Sequence, residues 1–171
     1  YGYLEGAGAS DTTTLIKTVE NGNDTLSYTY DELGNITSVS KNGFLVESYE
    51  YDLLNQLSKV IRGNDTWEYT YDNGGNLLSV KKNGAVEKSY TYGNANWKDL
   101  LTAFNGQSIT YDAIGNPLQY RDGMAFTWVN GRRLSTVAKG TDSIAYAYNA
   151  DGLRISKTVN GVTTNYHWLE G

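Results

Sequence analysis

A chain of 171 residues is long enough for one ordinary domain with a core, or for an array of small units. With 39% hydrophobic and 19% charged residues it is neither disordered by composition nor membrane-like, and no segment approaches the ~20 apolar residues of a membrane span. A net charge of -5, with no run of lysine or arginine, argues against nucleic-acid and anionic-membrane partners.

The finer composition points to sheet and turn. Tyrosine is frequent (Tyr 15 against Phe 3), and it favours pleated, half-buried surfaces. Gly 19 against Pro 1 implies many tight turns. Cysteine is absent, which excludes disulfides and thiolate metal sites and suits an exported bacterial protein. The chain opens without a Met, a charged leader or an apolar leader, and so reads as part of a longer protein whose export signal lies elsewhere.

Residues 1–14 are read as the end of a preceding unit, closed by Tyr3, followed by the insertion "EGAGASDTTT". From there one pattern recurs. The first full unit places Leu26, Tyr28 and Tyr30 on one face of a strand, with Ser27 and Thr29 on the other. Then come the turn "DELGN" (Asp31, Gly34, Asn35), a second strand "ITSVSK" and the tip Asn42-Gly43. The second unit has Tyr49, Tyr51 and Asp52, with Asn55-Gln56 where the first has Gly-Asn. The third has Trp67, Tyr69 and Tyr71, then Asp72, Gly75 and Asn76, and the tip Asn83-Gly84.

The fourth unit, Tyr90 and Tyr92, departs into the longer "GNANWKDLL" before the tip Asn105-Gly106. The fifth has Tyr111, Asp112, Gly115 and Asn116, and the tip Asp122-Gly123. The sixth replaces both tyrosines, with Phe126 and Trp128 following Met124. The seventh has Ile144, Tyr146 and Tyr148, the turn "NADGL" and the tip Asn160-Gly161; Tyr166 and Trp168 begin the eighth. The second aromatics recur at intervals of 17–21 residues along the whole chain.

Asn-Gly and Asp-Gly between β-rich runs are hairpin signals, because both residues tolerate positive φ. Each unit is therefore expected to be one β-hairpin of about twenty residues, and the chain an all-β antiparallel meander of about eight. The aromatics are expected to form a ladder from hairpin to hairpin, its rings stacked on their neighbours. The recurring Asp is expected to accept hydrogen bonds from turn amides, and the Gly to supply positive φ. Leu57 and Val60, Leu77 and Val80, and Leu134 and Val137 are three apart, so they cannot share a face of an uninterrupted strand. Either the Leu tucks under from the turn or a β-bulge intervenes.

The stretches "YTYDELGN", "YTYDNGGN" and "ITYDAIGN" resemble the YD repeat, also called the rearrangement-hotspot (RHS) repeat. The C-terminal "YAYNADGLRISKTVNGVTTNYHWLEG" resembles the segment just before the RHS-associated core of large exported bacterial proteins. The resemblance covers nearly the whole of 1–171 as a single repeat array. It implies a β-sheet strip that curls and spirals into a hollow shell, as in bacterial RHS toxins, insecticidal toxin complexes and teneurins. It also implies partners, namely the rest of a parent shell and a C-terminal toxin or effector held within it, and a secreted or bacterial cell-surface location. The core of such toxins can cleave itself through carboxylates carried on paired Asp-Pro motifs. Here the lone proline, Pro117, follows Asn116, so that activity does not carry over.

No catalytic, cofactor or metal residues are assigned. The carboxylates recur unit after unit, where a catalytic dyad needs one special place. His167, the lone histidine, is read as a surface residue on the polar side of a strand. Neither "DELGN" nor "NADG" matches an EF-hand loop or the calcium-binding nonapeptide repeat. The alternative function is a carbohydrate-binding or adhesion module recognising cell-surface glycans through Trp67, Trp97, Trp128 or Trp168. Of these, Trp97 lies outside the ladder and is the candidate sugar contact. Open strand edges at both ends would let the isolated chain self-associate.

Overall fold

The computed structural model describes residues 1–8 and 12–168. Among them every regular element is a β-strand except one 3-10 turn, Arg121–Gly123. The all-β, antiparallel meander read from the sequence is the observed fold.

The first unit of structure, residues 1–89, contains β1 (Gly2–Glu5), β2 (Thr12–Asn21), β3 (Asp24–Tyr30), β4 (Ile36–Lys41), β5 (Phe44–Tyr51), β6 (Leu57–Arg62), β7 (Asp65–Tyr71), β8 (Leu77–Lys82) and most of β9 (Ala85–Thr91). The second, residues 90–171, contains β10 (Ala103–Phe104), β11 (Gln107–Ser108), β12 (Thr110–Tyr111), β13 (Pro117–Gln119), β14 (Ala125–Val129), β15 (Arg133–Lys139), β16 (Asp142–Tyr148), β17 (Arg154–Val159) and β18 (Val162–Asn165). Strands pair in sequence order, β1 to β11 in one sheet and β12 to β18 in another. The sheet thus breaks at Ile109, which is buried and donates its N–H to the Thr102 carbonyl at 2.8 Å. The break follows the irregular residues 92–102, after which β10 and β11 have only two residues each.

Local chemistry explains the turns. Asn42-Gly43, Asn83-Gly84, Asn105-Gly106 and Asn160-Gly161 have positive φ at both positions, as a two-residue type I′ hairpin requires. Three more tips, at Gly22, Gly63 and Gly140, put positive φ at the first central residue, the type II′ pattern.

The three-residue spacing of leucine and valine comes from a bulge. Tyr51 pairs with Leu57 while Glu50 pairs with Lys59, so Ser58 is extra. The same slip occurs at Tyr30, Tyr71, Tyr111, Trp128 and Tyr148. Each bulge returns Leu57 and Val60, or their counterparts, to one face.

Burial follows the alternation. Along β7, Trp67, Tyr69 and Tyr71 are half-buried while Glu68 and Thr70 are exposed. Yet among the described residues only Val80, Ile109 and Asn116 are buried, and none of them completely. The sheets carry an apolar face without enclosing a core in the usual sense.

Two expectations need correction. β18 ends at Asn165, so Tyr166, His167 and Trp168 lie beyond the strand, with His167 exposed. Among the described residues Phe126 packs against Trp128 of the same strand, centroids 6.5 Å apart, and Tyr90 sits edge-on to Phe104 of β10 at 5.2 Å, rather than rings stacking rung on rung. The other rungs are joined by polar bonds, because the sheet spacing leaves each ring reaching toward its neighbour's backbone.

Candidate functional site: the aromatic ladder and its turns

The second aromatic of most units forms a rung. Tyr30 Oη donates to the Ile16 carbonyl at 2.6 Å, Tyr51 to Ile36 at 2.9 Å and Tyr71 to Leu57 at 2.8 Å. Farther on, Trp128 Nε1 donates to Pro117 at 2.7 Å, Tyr148 Oη to Leu134 at 2.9 Å and Trp168 Nε1 to Arg154 at 3.0 Å. The acceptor in each case is the residue paired with the preceding unit's second aromatic. Ile36 pairs with Tyr30, Leu57 with Tyr51, Leu134 with Trp128 and Arg154 with Tyr148. Ile16 pairs with Tyr3, which places Tyr3 at the start of the series. The bulge disrupts the backbone ladder there, and the incoming donor caps one of its carbonyls. Tyr111 follows a variant, donating to Leu101 at 2.6 Å.

This geometry explains the substitutions. Tryptophan replaces tyrosine only at the rung position, where its indole N–H supplies the same donor. Phenylalanine appears at the first aromatic position, Phe126, where no donor is required of it. Burial raises the phenol pKa of Tyr51, Tyr71 and Tyr111, so these rungs stay protonated donors well into alkaline solution.

Each rung runs into a turn locked by its Asp. Asp31 Oδ1 accepts from the Leu33 and Asn35 amides at 3.0 and 2.8 Å, and Oδ2 accepts from Asn35 Nδ2 at 2.9 Å. Asp52 does the same with Leu54 and Gln56, Asp72 with Gly74 and Asn76, and Asp112 with Ile114 and Asn116. Gly34, Gly75 and Gly115 sit at φ of +86°, +85° and +84°, and Asn55 tolerates the same region at 66°. The Asn35 side-chain amide, with its backbone N–H, holds the Asp31 carboxyl below the ordinary aspartate range, and Asn76 does so for Asp72. At Asp112 burial pushes upward, but the Asn116 bonds outweigh it and the net shift is down. Every one of these carboxylates is occupied by its own turn.

The opposite ends of the strands carry a second repeated device. Asn83 Oδ1 accepts the Thr66 amide at 2.8 Å while its Nδ2 donates to Asp65 at 2.8 Å, and Asn42 and Asn160 copy this on Asp24 and Asp142. Lys41–Asp24, Lys82–Asp65 and Lys139–Asp122 ion pairs of 2.8, 3.0 and 2.7 Å flank the tips. Sequence reasoning missed these asparagine clamps. The signal was the Asp lying 18 residues before each tip Asn. Also unrecognised was the Asn130-Gly131 tip, with φ of 48° and 85°.

Clefts lie beside ladder residues among the described part of the chain. One of about 300 Å³ lies among Glu47, Tyr49, Arg62, Trp67 and Tyr69. In it Arg62 pairs with Glu47 at 2.7 Å, Tyr49 Oη donates to Glu47, and the Tyr49 phenol is pushed up to about 12 by burial and that carboxylate. The other, of about 520 Å³, lies beside Trp97. The Trp97 ring covers Gly115 so closely that a Cβ there would lie 2.5 Å from Cζ3. Trp97 therefore has a packing partner, yet remains 47% exposed. Trp67, by contrast, is flanked by the Lys82 ammonium, 5.0 Å from its ring centroid. Among the described residues no three His, Cys, Asp or Glu side chains gather as a metal site, and no helix is long and apolar enough to cross a membrane.

Comparison with known proteins agrees with this architecture. The chain is 38% identical over 161 residues to the tRNA nuclease WapA of Bacillus subtilis (strain 168), covering 90% of this chain and 5% of that protein. It is 42% identical over 77 residues to the tRNA(Glu)-specific nuclease WapA of Bacillus subtilis subsp. natto, covering 43% of this chain and 3% of that protein. Among solved structures, TcdB2-TccC3 without its hypervariable C-terminal region superposes with a TM-score of 0.57 at 22% identity, over 88% of this chain and 9% of that one. The Photorhabdus luminescens Tc holotoxin pore gives 0.53 at 21% identity, over 79% and 9%. The chain thus spans a small fraction of each of these relatives. The Teneurin YD-shell family model matches residues 24–167, which carry nearly every rung and turn described above, and the chain belongs to that family.

Proposed function

We propose that this segment is a stretch of wall in a longer, exported protein, and that the wall encloses a C-terminal effector. The observation that carries this reading is the rung geometry. In most units the aromatic donor is satisfied by the backbone of the unit before it, so an array grows by adding hairpins. Open twisted sheets rarely exceed about ten strands without curling or splitting. An eleven-strand meander continued along a longer chain would have to bend, and a bent wall has an inside.

The wall is not itself the catalyst in this reading. The recurrent carboxylates are all engaged in their own turns, and the nuclease named in the WapA relatives belongs to proteins of which this chain spans 5%. An effector of that class would lie outside the segment. The half-exposed ladder face would hold such cargo by many weak contacts.

The test is protease protection of the C-terminal region in the longer parent protein. Intact walls should leave that region resistant, and combining Tyr51→Ala with Tyr71→Ala should open it to digestion. A C-terminal region cut as fast in the parent as in isolation would refute enclosure.

A further inference from the structure

We propose that Asn21 and Asn130 are sites of spontaneous deamidation, and that the asparagine clamps protect other hairpin tips from the same reaction. The chain has seven Asn-Gly pairs. In such a pair the glycine nitrogen attacks the asparagine Cγ, unhindered because glycine has no side chain. Its proton passes to the departing Nδ2 nitrogen, which leaves as ammonia, and side chain and backbone close into a succinimide. Water then opens the ring at either carbonyl, leaving aspartate or isoaspartate. The reaction needs a carboxamide free to swing onto the next nitrogen, and a nitrogen free to attack.

Solvent access does not separate the tips. Asn21, Asn42, Asn83, Asn130 and Asn160 are all exposed, and a Cβ built on the glycine after each would meet nothing within 4 Å. Side-chain bonding does separate them. Asn42, Asn83 and Asn160 accept an amide on Oδ1 at 2.7, 2.8 and 2.7 Å and donate from Nδ2 to an aspartate at 3.1, 2.8 and 3.0 Å. Both ends of those carboxamides are therefore fixed. At Asn73 the attacking atom is occupied instead, because the Gly74 N–H donates to Asp72 Oδ1 at 2.9 Å. Asn105 is not without a partner either. Asn21 and Asn130 have neither protection: among the described residues the carboxamide has no partner and the following glycine N–H has no acceptor.

The sequence explains why. The clamping Asp lies 18 residues before its Asn, but the residue at that distance from Asn21 is Tyr3. For Asn130 it is Asp112, already committed to its own turn. Val129 also follows the rung Trp128 where Asp31 follows Tyr30, so this turn lacks the locking carboxylate too. At Asn130 the reaction reaches a buried group. The Gly131 carbonyl accepts Asn116 Nδ2 at 2.7 Å, and Asn116 is 4% exposed. An isoaspartate lengthens the main chain by one carbon just before that carbonyl and displaces it from Asn116.

The experiment ages the chain in mildly alkaline buffer and follows each Asn-Gly peptide by mass spectrometry, with isoaspartate scored by enzymatic methyl transfer. Asn21 and Asn130 should convert at least about tenfold faster than Asn42, Asn83 and Asn160, the worth of a clamp of two exposed hydrogen bonds. In denaturing urea these five sites should convert at comparable rates, because bonding rather than local sequence sets the order. Asp65→Ala, which removes one arm of the Asn83 clamp, should speed Asn83 by about twofold to tenfold and leave Asn42 unchanged. Clamped tips converting as fast as Asn130 in the folded chain, the same order persisting in urea, or an Asn83 rate indifferent to Asp65→Ala would overturn the proposal.

Discussion

Removing the Tyr71 hydroxyl tests the rung directly. In Tyr71→Phe the ring stays in place and only the 2.8 Å bond to the Leu57 carbonyl is lost. A net hydrogen bond is worth about 0.5–1.5 kcal/mol, and because this one is half-buried, water cannot fully replace it. We expect a loss of about 1 kcal/mol. Tyr71→Ala removes the ring as well. Half of the roughly 150–250 Å² that such a ring can bury, at about 25 cal/mol per Å², adds about 2–3 kcal/mol. The controls are Tyr69→Phe, whose hydroxyl has no hydrogen-bond partner among the described residues, and Thr70→Ala, which loses an exposed bond to Ser79. Both should stay within about 0.5 kcal/mol of the parent. Urea unfolding followed by far-ultraviolet circular dichroism reads all four. With a slope of about 1–3 kcal/mol per molar, the Phe variant should lower the midpoint by about 0.3–1 M and the Ala variant by about three times as much. Equal midpoints for Tyr71→Phe and Tyr69→Phe would refute the rung mechanism.

Four further outcomes follow from the same structure. The Asp31 and Asp72 carboxyls are held low in the folded state, so their stabilisation is complete above the unfolded value of about 3.9 and is lost as pH falls through the lower folded values; the urea midpoint should fall steeply below about pH 4, and less steeply in Asp72→Asn. Asn83→Gly keeps the turn's φ but loses the clamp on Thr66 and Asp65, so it should cost about 1 kcal/mol by urea titration, and Asn83→Ala more. Gly115→Ala should destabilise more than Gly161→Ala: both share the positive φ, but only the first drives a methyl into Trp97, and an unshifted Trp97 indole resonance in the first variant would contradict that contact. Every residue of β18 is exposed and its outer edge is unpaired among the described strands, so the isolated chain should associate with rising concentration in sedimentation, and Asn165→Pro, at a position whose N–H faces away from β17, should suppress it.

Much of this was legible in the sequence because a repeat shows each physical requirement several times. Period-two alternation around Tyr28 and Tyr69 located the strands, and Asn-Gly located the tips, since φ preference is a local property. The spacing of Leu77 and Val80 signalled that something interrupts the strand, but pairing alone shows that it is a bulge. The rung acceptors were hidden for a physical reason. Tyr51 and Ile36 are 15 residues apart, and which carbonyl a hydroxyl reaches depends on register, which the bulge shifts. Likewise nothing near Trp97 announces Gly115, because their contact depends on how the 93–101 segment folds back. The sheet break at Ile109 was unreadable because the aromatic period runs on through it.

The central claim is that this chain is wall, extended by rungs and enclosing something else. The most direct measurement is an electron cryomicroscopy structure of the longer protein that contains it. The account predicts hairpins continuing in register before and after this segment, with each rung donor on the preceding unit's bulge, and a separate C-terminal polypeptide on the concave side. Two sheets packed face to face around a solid core, with no enclosed chain, would contradict it.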